Sequence, residues 1–163
     1  MYTAAIQWLH LTAATVWVGS QLFLILVAGP ALRTIEDPKT SLRVLRVLVS
    51  RYNVVGWVSF LVLVLTGLQR TYSMFPTLGP LSGTFYGRVL FIKIGMVAAI
   101  LLLSVLHSTI IGPRLLDLMS NSTAASDPGY RRLRRISLAV SSVTLLLSLG
   151  VLAAVALLRT GPS

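Results

Sequence analysis

Four long apolar runs alternate with short polar or proline- and glycine-bearing stretches along the chain, at about residues 4–29, 54–74, 86–112 and 136–158. The first, AAIQWLHLTAATVWVGSQLFLILVAG, is 26 residues without a charge. A helix rising about 1.5 Å per residue over that length exceeds the roughly 30 Å hydrocarbon core of a bilayer. The pattern therefore predicts an all-α fold, a transmembrane up-and-down four-helix bundle forming one integral-membrane domain over residues 1–163. Pro30 follows the first run, FPTLGPLSGT (75–84) parts the second from the third, and Gly112-Pro113 is read as the end of the third helix. Irregular backbone then falls between spans, as it must where lipid offers no hydrogen bonds. TSLRVLRVLVSR (40–51) has its apolar residues at helical spacing and reads as an interfacial helix or an extension of the second span, while MSNSTAASDPG (119–129) reads as a polar linker. The first run lacks the basic leader of a cleaved signal and is far longer than a signal core, so it is expected to remain as an anchor.

Within the runs the polar residues recur at i, i+4, i+7 and i+11, which places them on one helix face. The first span sets His10, Ala14, Trp17 and Gln21 there, and the second Ser59, Leu63, Thr66 and Arg70. The third carries Lys93, Ile100, Ser104 and His107, with Tyr86 on the same stripe, and the fourth Ser137, Ser141, Thr144 and Ser148. Four such stripes predict four inward faces. Small and hydroxylated residues on them serve close helix approach and interhelical hydrogen bonding. His10, Lys93 and His107 are costlier at membrane depth and are candidates for binding or redox chemistry, the alternatives being a satisfied structural contact or, for Lys93, snorkelling to the interface.

Composition agrees with a chain of spans and little else: 55% hydrophobic residues, 11% charged, and a mean hydropathy of +0.84. The net charge of +10 could suggest a nucleic-acid partner, but the cations are sorted by loop. Arg33, Lys39, Arg43, Arg46 and Arg51 lie in one loop and Arg114, Arg131, Arg132, Arg134 and Arg135 in another, against Arg70, Arg88 and Arg159 near the opposite span ends. The positive-inside rule makes both basic loops cytoplasmic and both termini external, in a bacterial-type cytoplasmic (inner) membrane. The expected partners are the lipid bilayer, its anionic headgroups, and other membrane redox subunits, a quinone or further copies of the chain, with no nucleic acid.

This topology sets His10 roughly 9 Å from the external end of its span, Lys93 at nearly the same level, and His107 about 21 Å further along the third helix. His10 and Lys93 are thus expected to face one external-side cavity, with His107 in a separate environment near Arg114. No cysteine is present, which excludes thiolate sites and covalent haem attachment. Haem b needs a neutral imidazole, an apolar slot, and cations for its propionates. His10 with Lys93, Arg88 or Arg70 meets that description, and His107 with Arg114 makes a second version. Copper(I) favours soft donors, for which His10 with Met96 and Met74 is the available set.

The segments WLHLTAATVWVGSQLFLILVAGPALR (8–33), GWVSFLVLVLTGLQ (56–69), YGRVLFIKIGMVAAILLL (86–103) and YRRLRRISLAV (130–140) together resemble the copper resistance protein D domain. The resemblance rests on LH-x5-VWVG, the TG closing the second span, YGR-x4-K and the RRLRR that opens the fourth. It implies a membrane family of four or more spans associated with copper transport or tolerance. A more distant similarity to HemJ-type protoporphyrinogen oxidases lies in the first-span LH, carried by His10, and a third-span Arg/Lys pair followed by a His, carried by Arg88, Lys93 and His107. Those relatives are four-span haem b proteins. Three functions follow as expectations: a haem b-binding protein with an electron-transfer or porphyrin-linked redox role, a copper-handling membrane protein, and a structural subunit of a larger membrane complex.

Overall fold

The computed structural model describes residues 2–74, 85–120 and 127–160, and every regular element among them is helical. α1 (Tyr2–Phe23) runs through a π-helical turn (Leu24–Ala28) into α2 (Gly29–Leu32), and α3 (Pro38–Met74) follows. α4 (Phe85–Leu106) runs through a second π turn (His107–Ile111) into α5 (Gly112–Ser120), and α6 (Pro128–Thr160) follows. The chain divides into two compact units, Met1–Pro80 and Leu81–Ser163. In the first, α1 packs on α3; in the second, α4 and α5 pack on α6. Each unit is thus a helical hairpin, and the chain holds four helices long and apolar enough to cross a membrane: Thr3–Leu32, Pro38–Gln69, Leu90–Ser120 and Pro128–Ala153.

Two expectations about helix ends are corrected. Neither Pro30 nor Pro113 stops its helix, because the turn before each is widened. A proline ring in a regular α-helix collides with the carbonyl four residues back. Here Gly29 N–H donates to Leu24 O and Gly112 N–H to His107 O, five-residue steps that open the turn just before the ring. Glycine suits both positions, since a Cβ would lie 3.2 Å from Leu24 O or 3.1 Å from His107 O, closer than ordinary van der Waals contact. The third span consequently continues past residue 112 to Ser120.

The second helix of each hairpin starts on the same device. Asp37 precedes Pro38 and accepts the N–H groups of Lys39 and Thr40 at 3.2 and 3.0 Å, with the Thr40 hydroxyl donating as well. These bonds, the Thr40 hydroxyl first, hold the exposed Asp37 carboxyl below its ordinary value of 3.8. Asp127 precedes Pro128 and accepts Gly129 N–H at 2.7 Å. Proline at the first helical position forfeits an N–H that had no partner there anyway. α3 is 37 residues, about 55 Å, so TSLRVLRVLVSR is an extension of the second span.

Polar residues share the buried positions with apolar ones, while large apolar side chains cover the outside. Gln21, Ser59, Thr66, Thr144 and Ser148 are buried, while Trp8, Leu26, Leu61, Leu102 and Leu146 are more than half exposed, as lipid-facing side chains should be. The buried hydroxyls are satisfied along their own helices, Thr144 to Val140 O and Ser148 to Thr144 O, both at 2.8 Å. Trp17 meets Phe60 across the first hairpin with ring centroids 5.2 Å apart.

Candidate functional site

His10 stands near the open end of the first hairpin, on α1, where α3 presents Thr66 and Gly67. Its Nδ1 lies 2.6 Å from Thr66 Oγ1. Thr66 has one hydroxyl proton, and its Oγ1 also lies 2.6 Å from Val62 O, to which that proton is donated. With that proton given to Val62 O, the Thr66 oxygen accepts, and Nδ1 of His10 is then the protonated nitrogen and donates. A neutral imidazole with its proton on Nδ1 carries the lone pair on Nε2. In that arrangement a backbone carbonyl, through one hydroxyl, orients the imidazole, as outer partners orient ligating histidines in metal sites. Gly67 leaves the ring its space: a Cβ there would sit 3.7 Å from His10 Cε1.

His107 is held differently. It opens the second π turn, near the connected end of the second hairpin, and its Nε2 lies 3.0 Å from Ser137 Oγ and 3.4 Å from Ser141 Oγ of α6. Two hydroxyls on successive turns cradle one ring nitrogen, joining α4 to α6 as interhelical polar pairs do in membranes. Arg114, expected near His107, lines a cavity with Leu118 of α5 and Leu133 of α6.

Lys93 and Arg88 lie toward the open end of the second hairpin, Arg88 exposed and Lys93 half-exposed. Met96 is spoken for by packing: its methyl fills the notch of Gly150, lying 2.5 Å from where a Cβ would be. The side chains of Arg70, Met74 and Tyr86 lie outside the described residues. Among the described residues no group of three or more His, Cys, Asp or Glu could enclose a metal ion. Sequence reasoning placed Thr66, Ser137 and Ser141 on inward faces and gave them helix approach and interhelical hydrogen bonding, without pairing them to the histidines. The missed signal is their recurrence, at helical spacing, on the helices that pair with those bearing the histidines.

A family profile described as "CopD: Copper resistance protein D" matches residues 46–158, more than half of the 163-residue chain, and the chain belongs to that family. The matched region starts within α3 and leaves His10 outside it. No curated protein and no solved structure matches.

Proposed function

We propose that this member of the copper resistance protein D family handles copper at the membrane, with His10 supplying the donor atom by which the first hairpin meets the ion. The family match supports the copper reading, and the Val62–Thr66–His10 relay is the observation that carries the choice of residue. An imidazole whose proton sits on Nδ1 carries its lone pair on Nε2, and imidazole suits copper. His107, braced by two serine hydroxyls, serves as an interhelical tie.

The same Nε2 lone pair suits an axial haem ligand, so haem b is the competing occupant, though the family match gives it no support. Purification of the full chain from cells supplied with both haem and copper separates the two. Copper retained near stoichiometry in a preparation without a Soret band, and lost in His10→Ala, supports the proposal. A Soret and reduced α-band that disappear in His10→Ala would transfer the site to haem. A colourless, copper-free preparation whose expression leaves cellular copper tolerance unchanged would leave the structural-subunit reading in its place.

A further inference from the structure

Independently of the copper reading, the geometry points to an anionic phospholipid site at the basic end of the second hairpin, with the lipid phosphate held by arginines of α5 and α6. Two adjoining cavities open there, of about 490 and 330 Å³, and they share Arg132 and Ile136. Arg114 of α5 lines the larger, and Arg131 and Arg135 line the smaller. The floor is apolar, formed by Leu118 from α5 and by Leu133 and Ile136 from α6. Ile136 is 41% exposed, a wide apolar surface directly beside guanidinium groups. A headgroup phosphate with the first carbons of its acyl chains has that combination of needs, whereas a free anion would use the arginines and leave the floor unused.

The acidic residues present do not neutralise the arginines. Asp117 and Asp127 line the larger cavity, but Asp127 is engaged with the Gly129 N–H as the helix cap, and among the described residues neither carboxylate forms an ion pair with Arg114, Arg131, Arg132 or Arg135. Four guanidinium groups against two carboxylates leave an excess of positive charge, which selects a headgroup of net negative charge over a zwitterionic one. Guanidinium groups also bind phosphate oxygens in a two-pronged fashion that an ammonium group lacks. Basic pockets between membrane helices at the cytoplasmic face recognise lipid headgroups by this chemistry. α5, with Arg114, Asp117 and Ser120 exposed and Leu115, Leu116 and Leu118 half-buried, gives such a site a wall that is polar on one side and apolar on the other.

The test uses the full chain reconstituted in nanodiscs of phosphatidylcholine containing a minor fraction of phosphatidylglycerol, with retained lipid counted by native mass spectrometry. Wild type should retain phosphatidylglycerol in preference to phosphatidylcholine. The pair Arg132→Gln and Arg135→Gln should weaken that preference about 25-fold, at about fivefold per arginine. Arg43→Gln with Arg46→Gln removes the same charge from the first hairpin and should leave the preference within about twofold of wild type. The charge-conserving pair Arg132→Lys and Arg135→Lys should retain selection for the anionic lipid with reduced retention. Equal losses from the two Gln pairs would overturn the site in favour of diffuse surface charge. Displacement of phosphatidylglycerol by millimolar inorganic phosphate would overturn the lipid in favour of a water-borne anion, and loss of selection in the Lys pair would overturn the charge argument.

Discussion

Thr66→Val is the sharpest perturbation of the proposed site, because it keeps the shape of the side chain and removes only the relay. The hydroxyl both donates to Val62 O and accepts from His10 Nδ1, each at 2.6 Å. Hydrogen bonds between membrane helices contribute about 0.6 kcal/mol on average, with an upper range near 1.7. Thermal stability should therefore fall by only about 1 kcal/mol. Metal binding should respond far more, since losing an outer partner that orients a ligating histidine costs roughly 10- to 100-fold in affinity. A copper(I) competition titration against a chromogenic chelator, on detergent-solubilised full-length protein, reads the second quantity. Nitrogen NMR of histidine-labelled protein reads the cause, through which ring nitrogen of His10 is protonated. Thr66→Ser retains the hydroxyl and should behave as wild type. The reasoning fails if Thr66→Val binds copper as tightly as wild type while His10→Ala does not bind. It also fails if the spectra place the neutral proton on Nε2.

Other expectations are more local. A cysteine at Ser82 should be labelled by an impermeant reagent from outside intact cells and one at Ser126 only from inside; both positions lie outside the described residues, and the reverse pattern would invert the orientation inferred from the basic loops. His107→Leu should lower the thermal midpoint through loss of its contacts with Ser137 and Ser141, yet leave copper binding within about twofold of wild type, because in this reading the imidazole is a tie. Gly112→Val should destabilise by about 1–3 kcal/mol through crowding against His107 O, more than the same change at Gly95, where a Cβ meets open space. The Asp37 carboxyl is held below 3.8, so its stabilising bonds are fully present above that pH and are lost as pH falls through the lowered value; the difference in thermal midpoint between wild type and Asp37→Ala should shrink below about pH 3.8.

The inward faces were legible in the sequence because lipid inverts the usual signal. An apolar residue in a membrane helix says little about where it points, but Gln21, Ser59, Thr66, Thr144 and Ser148 each cost free energy if turned to hydrocarbon, and all five are buried. The helix ends were not legible. Proline next to glycine ordinarily marks a boundary, and only the π turn before Pro30 and before Pro113 lets the helix pass, a hydrogen-bond shift with no residue signature of its own. Pairing was half legible: periodicity puts His10 and Thr66 on inward faces, but their meeting depends on the hairpin register, which residues 33–37 set.

The two hairpins repeat one plan, and the repeat bears on where the chemistry lies. In each, a membrane-length helix widens into a π turn before Gly-Pro, and the returning helix starts at Asp-Pro with basic residues in its first turns. Gly29 and Gly112 stand 83 positions apart, and the same shift carries the buried Trp17 onto the buried Ile100 and Ala28 onto Ile111. It also carries His10 onto Lys93. A shared scaffold therefore holds a nitrogen base at matching positions near the open end of each hairpin, with different chemistry in each. In the proposed reading an imidazole with its proton on Nδ1 offers a lone pair to a cation, whereas an ammonium group has none to offer and attracts anions instead. Helix geometry is thus common to both halves, and in the proposed reading the choice of ligand rests on one residue and the hydroxyl that orients it. The copper proposal accordingly depends on His10 and Thr66 in particular, although the family match begins only at residue 46.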